Sequence, residues 1–348
     1  MARQQIFSHK QRFGDALRGL CPSWKSERFV VAFSGGLDST ALLRLAAEIM
    51  PPERIVAAHL NHRLRGQAAD EDQRFAAGTA AELGIEFISA GIDVAALADS
   101  RGKGVEEAAR RARYIFLAEA AAKAGAGFIL TAHQADDQTE TILMNFIRGA
   151  GAGGLAGIHP RRKLGDVELL RPLLGFSRED LKAFLNAAGQ TWVEDKSNQD
   201  SRYRRNALRL DIIPRLKSVN PRLGEALNRS AAVLRSEEDF WKEHLHKLWP
   251  VIVGADDETA NTLTLKRGEL ERLTVAERRR FIYEAFLKIK SRDQRMKDET
   301  GEPMSFATVE VVLEIMNYPT HSGLDLPGGL RAEVFKEELK LSPASRFI

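Results

Sequence analysis

Ser34-Gly35-Gly36-Leu37-Asp38-Ser39-Thr40 is the stretch whose residue types most directly imply chemistry. Two adjacent glycines let the backbone come close to an anion, the hydroxyls of Ser34, Ser39 and Thr40 add donors, and the free amides of a following helix point the same way. The lysine of a GxxxxGKS/T loop is missing, so this is not a Walker A phosphate loop. Asp38 would repel phosphates unless a divalent cation stood between them, which assigns it to Mg2+. The competing reading is a tight strand-to-helix turn with Asp38 or Ser39 as N-cap. The order of strand, loop and helix favours the phosphate reading.

Asp137 and Glu140 are three apart at a predicted helix start, hence on one face, where they can meet one amino acid together. As ordinary helix-start acids they would contribute about 0.3–1 kcal/mol against the dipole, and the adjacent Asp136, expected to be exposed, is given that role. Arg110 and Arg113 share a helical face behind Glu106 and Glu107, and Arg111 reads as surface. His133 follows a strand end and is either a structural group or a contact to the nucleotide. His59 and His62 have ligand-like spacing but no third ligand nearby, which argues against zinc. Gly149 to Gly154 matches GxGxxG as a string but follows a helix, so it reads as a flexible or tightly packed loop. Residues 202–222 hold seven bases, Arg202, Arg204, Arg205, Arg209, Arg215, Lys217 and Arg222, against the single acid Asp211. That excess suits a polyphosphate backbone, with a solvated helix as the alternative. Arg278, Arg279, Arg280, Lys288, Lys290, Arg292, Arg295 and Lys297 form a second basic run, expected to touch nucleic acid.

The elements that must position these residues alternate. Strands are predicted at 29–33, 54–59, 85–90 and 128–131, with helices to about 50 and over 68–83, 104–123 and 135–148. Repeated strand-then-helix units make a doubly wound parallel α/β sheet, with ligand chemistry at the carboxyl ends of its strands. A hairpin is expected over 158–172, a helix from Ser177 to Ala188 with Ser177 and Asp180 as a capping box, and a long helix over 222–248. Asp256-Asp257-Glu258 reads as a loop or boundary, and the remainder as a small α+β domain with a hairpin through Pro327-Gly328-Gly329. The domain reading is 1–217 catalytic, 218–249 a helical linker and 250–348 a C-terminal domain.

With 51 Lys and Arg against 48 Asp and Glu, the chain is too near neutral to coat nucleic acid as a polycation, so any such surface is local. The hydrophobic fraction of 44% excludes a disordered or fibrous protein. One cysteine, Cys21, excludes an internal disulfide, a CxxC redox pair and a thiolate zinc ribbon, and fits a reducing compartment. The N-terminus lacks the apolar stretch of a signal peptide, and no run is long enough to span a membrane, so a cytoplasmic protein is expected.

The glycine loop resembles the PP-loop signature of the N-type ATP pyrophosphatases, which split ATP between its α and β phosphates and adenylate an oxygen. His59-Leu-Asn-His-Arg-Leu-Arg-Gly66, Gly104 to Tyr114, Thr131 to Thr141, Arg148-Gly149 with Gly153 to Leu155, Arg171 to Leu174, and Glu194 to Asn198 followed by Arg205-Asn206 occur in the order of the tRNA(Ile)-lysidine synthetase family. The resemblance covers about 28–220. It implies that ATP adenylates the C2 oxygen of the wobble cytidine of a CAU anticodon and that free L-lysine displaces AMP. It also implies Ser34 to Thr40 as the ATP site with Mg2+ on Asp38, Asp137 and Glu140 as lysine ligands, and Asp38, Arg113 and Arg205 as catalytic groups. Arg63, Arg110, His133, Arg204, Arg205 and Asn206 become contacts to the isoleucine tRNA. A homodimer is compatible with the family. Longer members carry two C-terminal domains, and about 100 residues after the long helix suffice for one. Among rivals, tRNA thiolases with paired cysteines do not fit a lone Cys21, and an amidotransferase needs a glutaminase cysteine of its own or a partner's. A silent RNA-binding protein has no use for Asp38 with Asp137 and Glu140.

Overall fold

The β-branched run at Phe29 is the centre of a sheet because both faces of it are buried: Phe29, Val30 and Val31 are each 0% exposed. The computed structural model describes residues 2–63, 66–94, 96–97, 104–194, 204–292, 305–318, 322–327 and 329–344. The chain opens with α1 (Ala2–Leu20), then alternates β1 (Phe29–Ala32), α2 (Leu37–Ile49), β2 (Ile55–Asn61), α3 (Gln67–Glu82), β3 (Glu86–Gly91), α4 (Val105–Ala124), β4 (Phe128–Leu130) and α5 (Ala135–Ile147). A short helix α6 (Ala152–Leu155) and the hairpin of β5 (Arg161–Leu164) and β6 (Val167–Leu170) lead to α7 (Arg178–Ala187). The order across the sheet is β3-β2-β1-β4-β6-β5, parallel except for β5. This is the expected doubly wound sheet.

Alternate residues of β1 feed two cores. Phe29 and Val31 pack with Leu42, Leu45 and Phe184 on one side, while Val30 packs with Val56, Ile129 and Leu117 on the other. The helix α1 was not anticipated. Its Phe13 and Leu17, one turn apart and fully buried, cover the first core against α2 and α7. The chain leaves β1 toward β2 and β3 and returns on the opposite side as β4, so the strand order reverses between β1 and β4. A crevice at the carboxyl ends of those two strands is where such sheets take ligands. The glycine-rich stretch after α5 is the tightly packed alternative: a Cβ on Gly154 would lie 2.6 Å from Ala150 Cβ, and Asn145 Nδ2 donates to the Gly154 carbonyl at 2.8 Å.

Beyond the sheet come α8 (Arg204–Ala207), a π turn (Leu208–Ile212), α9 (Ile213–Val219) and the long α10 (Leu223–Ile252). The chain divides into two compact units, Met1–Arg235 and Ser236–Ile348, the division falling within α10. The second unit contains β7 (Val253–Asp257), β8 (Thr262–Lys266), α11 (Arg267–Glu271), α12 (Val275–Arg292), α13 (Phe306–Ile315), β9 (Ser322–Leu326), β10 (Leu330–Val334) and β11 (Glu338–Pro343). Its five strands form an antiparallel sheet, order β7-β8-β11-β10-β9, over a core that includes Leu265, Phe281, Phe286 and Leu341. Asp256 and Asp257, expected in a loop, lie in β7. The strand tolerates Asp256 because Lys288 Nζ at 2.7 Å and Arg292 Nη1 at 2.6 Å neutralise it.

Much of the basic run of α12 is paired with acids. Arg279 grips Glu310 with both nitrogens at 2.6 and 3.0 Å, Arg280 pairs with Glu238, and Arg292 also reaches Glu258 at 3.0 Å. The surplus counted in sequence is largely cancelled by acids from other elements, and Arg295 and Lys297 lie outside the described residues. Among the described residues no helix is long and apolar enough to cross a membrane.

Candidate active site

The loop after β1 is built by its own hydroxyls. Gly35 takes φ +85, a conformation open to glycine, and its carbonyl accepts from Val193 N–H at 2.9 Å and from the Thr40 hydroxyl at 3.1 Å. Ser34 N–H donates to Ser39 Oγ at 3.2 Å, and Ser39 Oγ donates to the Gly36 carbonyl at 3.0 Å. Thr40 N–H donates to Gly36 at 2.9 Å, the first bond of α2, so the amides of Leu37, Asp38 and Ser39 are the helix's unspent donors. Thr40, fully buried, shapes the loop with its hydroxyl, and Leu37 packs into the core and has only its main-chain N–H to offer.

Asp38 begins the next layer. One carboxylate oxygen stands 3.1 Å from Arg178 Nη1, and Oδ1 is buried without a partner. Burial pushes its pKa up to about 6, with Asp137 and Asp136 adding to the rise and Arg178 opposing it. Arg178 escaped the sequence reading. The signal available was the Ser177–Asp180 capping box, present as expected, which fixes Arg178 as the first residue of α7. The Ala135 N–H donates to the Phe176 carbonyl at 2.8 Å, so the starts of α5 and α7 are tied together.

The acids of α5 are more engaged than their spacing implied. Asp137 Oδ2 accepts from the Gln134 N–H at 3.0 Å and so helps cap its own helix. Its other oxygen meets Arg205 Nη2 at 2.9 Å. Glu140 is 0% exposed, with Arg205 Nε 2.6 Å from Oε2 and Arg209 Nε 2.5 Å from Oε1. Burial raises the Asp137 pKa against the opposing field of Arg205. Burial opposes the charge on Arg209, yet the Glu140 hydrogen bond and charge outweigh it and raise its pKa. Arg209 had been counted only as part of a basic run. Asp136, expected to be exposed, is half-buried and bridges the Arg178 N–H at 3.2 Å and Lys217 Nζ at 3.4 Å. Arg205, Arg209 and Lys217 therefore pair with the site acids, which goes against the solvated-helix alternative for these three. Asn206 is half-buried on α8 beside Arg205. The Arg204 side chain, Arg202 and the stretch 195–203 lie outside the described residues.

On the other side of Arg205 the site is basic. His133 follows β4, its Nδ1 3.0 Å from Thr131 Oγ1. Burial, with Arg171, Arg113, Arg205 and Arg110 around it, depresses its pKa to about 3, so it is a neutral imidazole. Arg113 and Arg110 lie with their guanidinium carbons 5.6 and 5.4 Å from the Tyr114 ring centre. Arg63, at φ +53, donates its N–H to Asn61 Oδ1 at 2.9 Å and lies across Gly91 at the end of the edge strand β3. Leu64 and Arg65 of that motif are outside the described residues. His59 Nδ1 is 3.0 Å from the Phe33 carbonyl oxygen, and burial with the Arg113 field keeps His62 neutral at a pKa of about 4.

Residues 9–216 match the PP-loop domain family. The tRNA(Ile)-lysidine synthase of Geobacter sulfurreducens is 42% identical over 213 residues, 61% of this chain and 45% of that protein. The enzyme of the same name from Pseudomonas aeruginosa is 42% identical over 231 residues, 65% of this chain and 50% of that protein. The matched stretch spans about half the length of these curated relatives. The solved U34-tRNA thiolase NcsA from Methanococcus maripaludis superposes with TM-score 0.52 over 68% of this chain and 80% of its own, at 17% identity, a likeness of fold alone.

Proposed function

The chain belongs to the PP-loop domain family, and we propose that it is an ATP-dependent ligase of the tRNA(Ile)-lysidine synthase type. The observation that carries this reading is the convergence, at the reversal of strand order, of a phosphate loop with Asp38 and a carboxylate pair with two arginines.

In the first step the C2 oxygen of the wobble cytidine attacks the α-phosphorus of ATP, and pyrophosphate leaves. The amides at the start of α2 receive the phosphates, and Arg205 and Arg113 face the charge that develops. The orphaned, buried Asp38 Oδ1 is the group that would hold a Mg2+ ion. Such an ion would supply positive charge against that of the leaving pyrophosphate. In the second step the side-chain amine of lysine, having shed a proton from a pKa of about 10.4, bonds to C2 as the C2–O bond to AMP breaks. Asp137 and Glu140 are the groups to hold the ammonium before that step. Because Arg205 and Arg209 already balance their charge, lysine competes with one guanidinium for Glu140. The tRNA, ATP and lysine place the reaction in the cytoplasm.

Nucleoside mass spectrometry of a CAU-anticodon isoleucine tRNA, incubated with the protein, ATP and lysine, tests the reading. Lysidine together with AMP is expected. Formation of ADP, or an unmodified cytidine alongside ATP consumption, would overturn it.

A further inference from the structure

Several arginines of the first unit are paired with acids. Arg12, Arg28, Arg178, Arg205 and Arg209 each stand within 3.1 Å of a carboxylate oxygen. Arg110 and Arg113 of α4, Arg162 of β5 and Arg171 after β6 form a group of another kind, for which no ion pair appears among the described residues. Three of them surround one ring: the guanidinium carbons of Arg110, Arg113 and Arg162 lie 5.4, 5.6 and 5.9 Å from the centre of Tyr114. Arg171 is only 5% exposed, donates to the His159 carbonyl, and keeps a buried Nε without a partner. The Tyr114 hydroxyl is also buried, and its oxygen faces the guanidinium groups of Arg113 and Arg171. Burial alone would raise its pKa, but Arg110, Arg113 and Arg171 outweigh it and lower the value.

Gathering like charges around a half-buried ring costs energy that cation–π contact alone offsets weakly. An anion among them would relieve the repulsion and satisfy the spare Nε donor of Arg171, and a planar guanidinium suits phosphate oxygens best. The cluster adjoins Arg205, whose field reaches both Arg113 and His133, and so borders the reaction centre. Its residues belong to α4, β5 and the end of β6, whereas the glycine loop follows β1.

We propose that Tyr114, Arg110, Arg113 and Arg171 form a second phosphate-ester site, distinct from the glycine loop, that takes a backbone phosphodiester of the nucleic acid carrying the reacting base. This rests on the reading of the chain as an RNA-modifying ligase. A phosphate of the nucleotide co-substrate has the same chemistry, and the test separates the two sources.

The test uses the full chain with Arg171→Gln, the exposed-site variant Arg110→Gln in case the first does not fold, and Tyr114→Phe. Binding of a CAU anticodon stem-loop RNA is measured against salt, and binding of ATP with Mg2+ in parallel. The expected result is RNA affinity about tenfold weaker in either arginine variant, a salt slope smaller by about one, and ATP affinity within about twofold of the parent. A loss confined to ATP keeps the site and assigns it to the nucleotide. Unchanged binding of both ligands in every folded variant overturns the proposal. Ultraviolet titration with inorganic phosphate reads the site without RNA: phosphate should raise the pKa of one tyrosine, and Tyr114→Phe should abolish that shift. If the parent binds no RNA but phosphate still moves Tyr114, the ligase reading fails and the anion site stands.

Discussion

Two carboxylates of the first unit, Asp38 and Asp137, and two of the second, Asp256 and Glu277, respond to their neighbours in opposite ways. In the first unit burial pushes Asp38 up to about 6 and raises Asp137, although arginines touch both. In the second unit Asp256 is held down at about 2, chiefly by the Arg292 hydrogen bond with Lys288 assisting. Glu277 is also at about 2 through Thr274 and His244. The pairs have similar lengths, so distance is not the difference. In the first unit desolvation outweighs the arginines, so ionisation is costly, and groups kept ionisable at such a cost are candidates for binding. In the second the hydrogen bonds outweigh desolvation, and the acids join β7 to α12 or cap α12, which is a contribution to stability.

The largest expected effect is on chemistry in the first unit. Asp38→Asn should reduce formation of AMP and pyrophosphate by at least about 100-fold while leaving thermal stability equal or higher, because it removes a buried ionised acid. Asp256→Asn should do the reverse, lowering the melting temperature with no change in ATP turnover. Equal effects of the two variants on both measurements would erase the distinction between the units.

Next in size is Glu140→Gln. It should impair lysine use at least about tenfold while adenylation continues, and cost about 2 kcal/mol in denaturant unfolding. That is the low side for a broken buried pair, since both arginines are partly open to water. Arg209→Gln should act oppositely on lysine, lowering its KM by a few-fold as a competing guanidinium is removed. A raised KM would mean that Arg209 positions the acid rather than competes for it.

Acid titration of stability should separate the units more gently. Asp256 and Glu277 bind protons less readily when folded, so their contribution is complete above about pH 4.5 and fades as pH falls toward 2. Asp38 binds its proton more readily when folded, so its ionisation favours unfolding as pH rises from about 4 through 6. Unfolding followed by tryptophan fluorescence, with Asp38→Asn and Asp256→Asn as references, should show the two signs. The smallest expected effect is on nucleic-acid binding. Arg279→Gln with Arg280→Gln should leave the salt slope of RNA binding within error, because both side chains are spent on Glu310 and Glu238.

What the sequence made legible was local. The glycine loop was readable because Gly35, Gly36 and Asp38 act within one strand-to-helix turn, and the sheet because β-branched runs alternate with amphipathic helices. The Ser177–Asp180 box was readable for the same reason. Arg178 and Arg209 were not, since their partners Asp38 and Glu140 lie 140 and 69 residues away. A basic run read in a window also hides its acids: Asp256 and Glu310 reach α12 from a strand and from another helix. Asp136 looked exposed because nothing nearby in sequence announces the start of α7 or Lys217 above it.

The account rests on Asp38 acting with phosphates and Glu140 with the amino acid, and RNA-dependent exchange of labelled pyrophosphate into ATP separates those roles. The unaltered protein should exchange label when CAU-anticodon tRNA is present and lysine is absent. Asp38→Asn should lose that exchange, and Glu140→Gln should keep it while making lysidine at least about tenfold more slowly once lysine is added. Exchange at the parent rate in Asp38→Asn, or its loss in Glu140→Gln with the fold intact, would contradict the division of labour proposed for the two carboxylates.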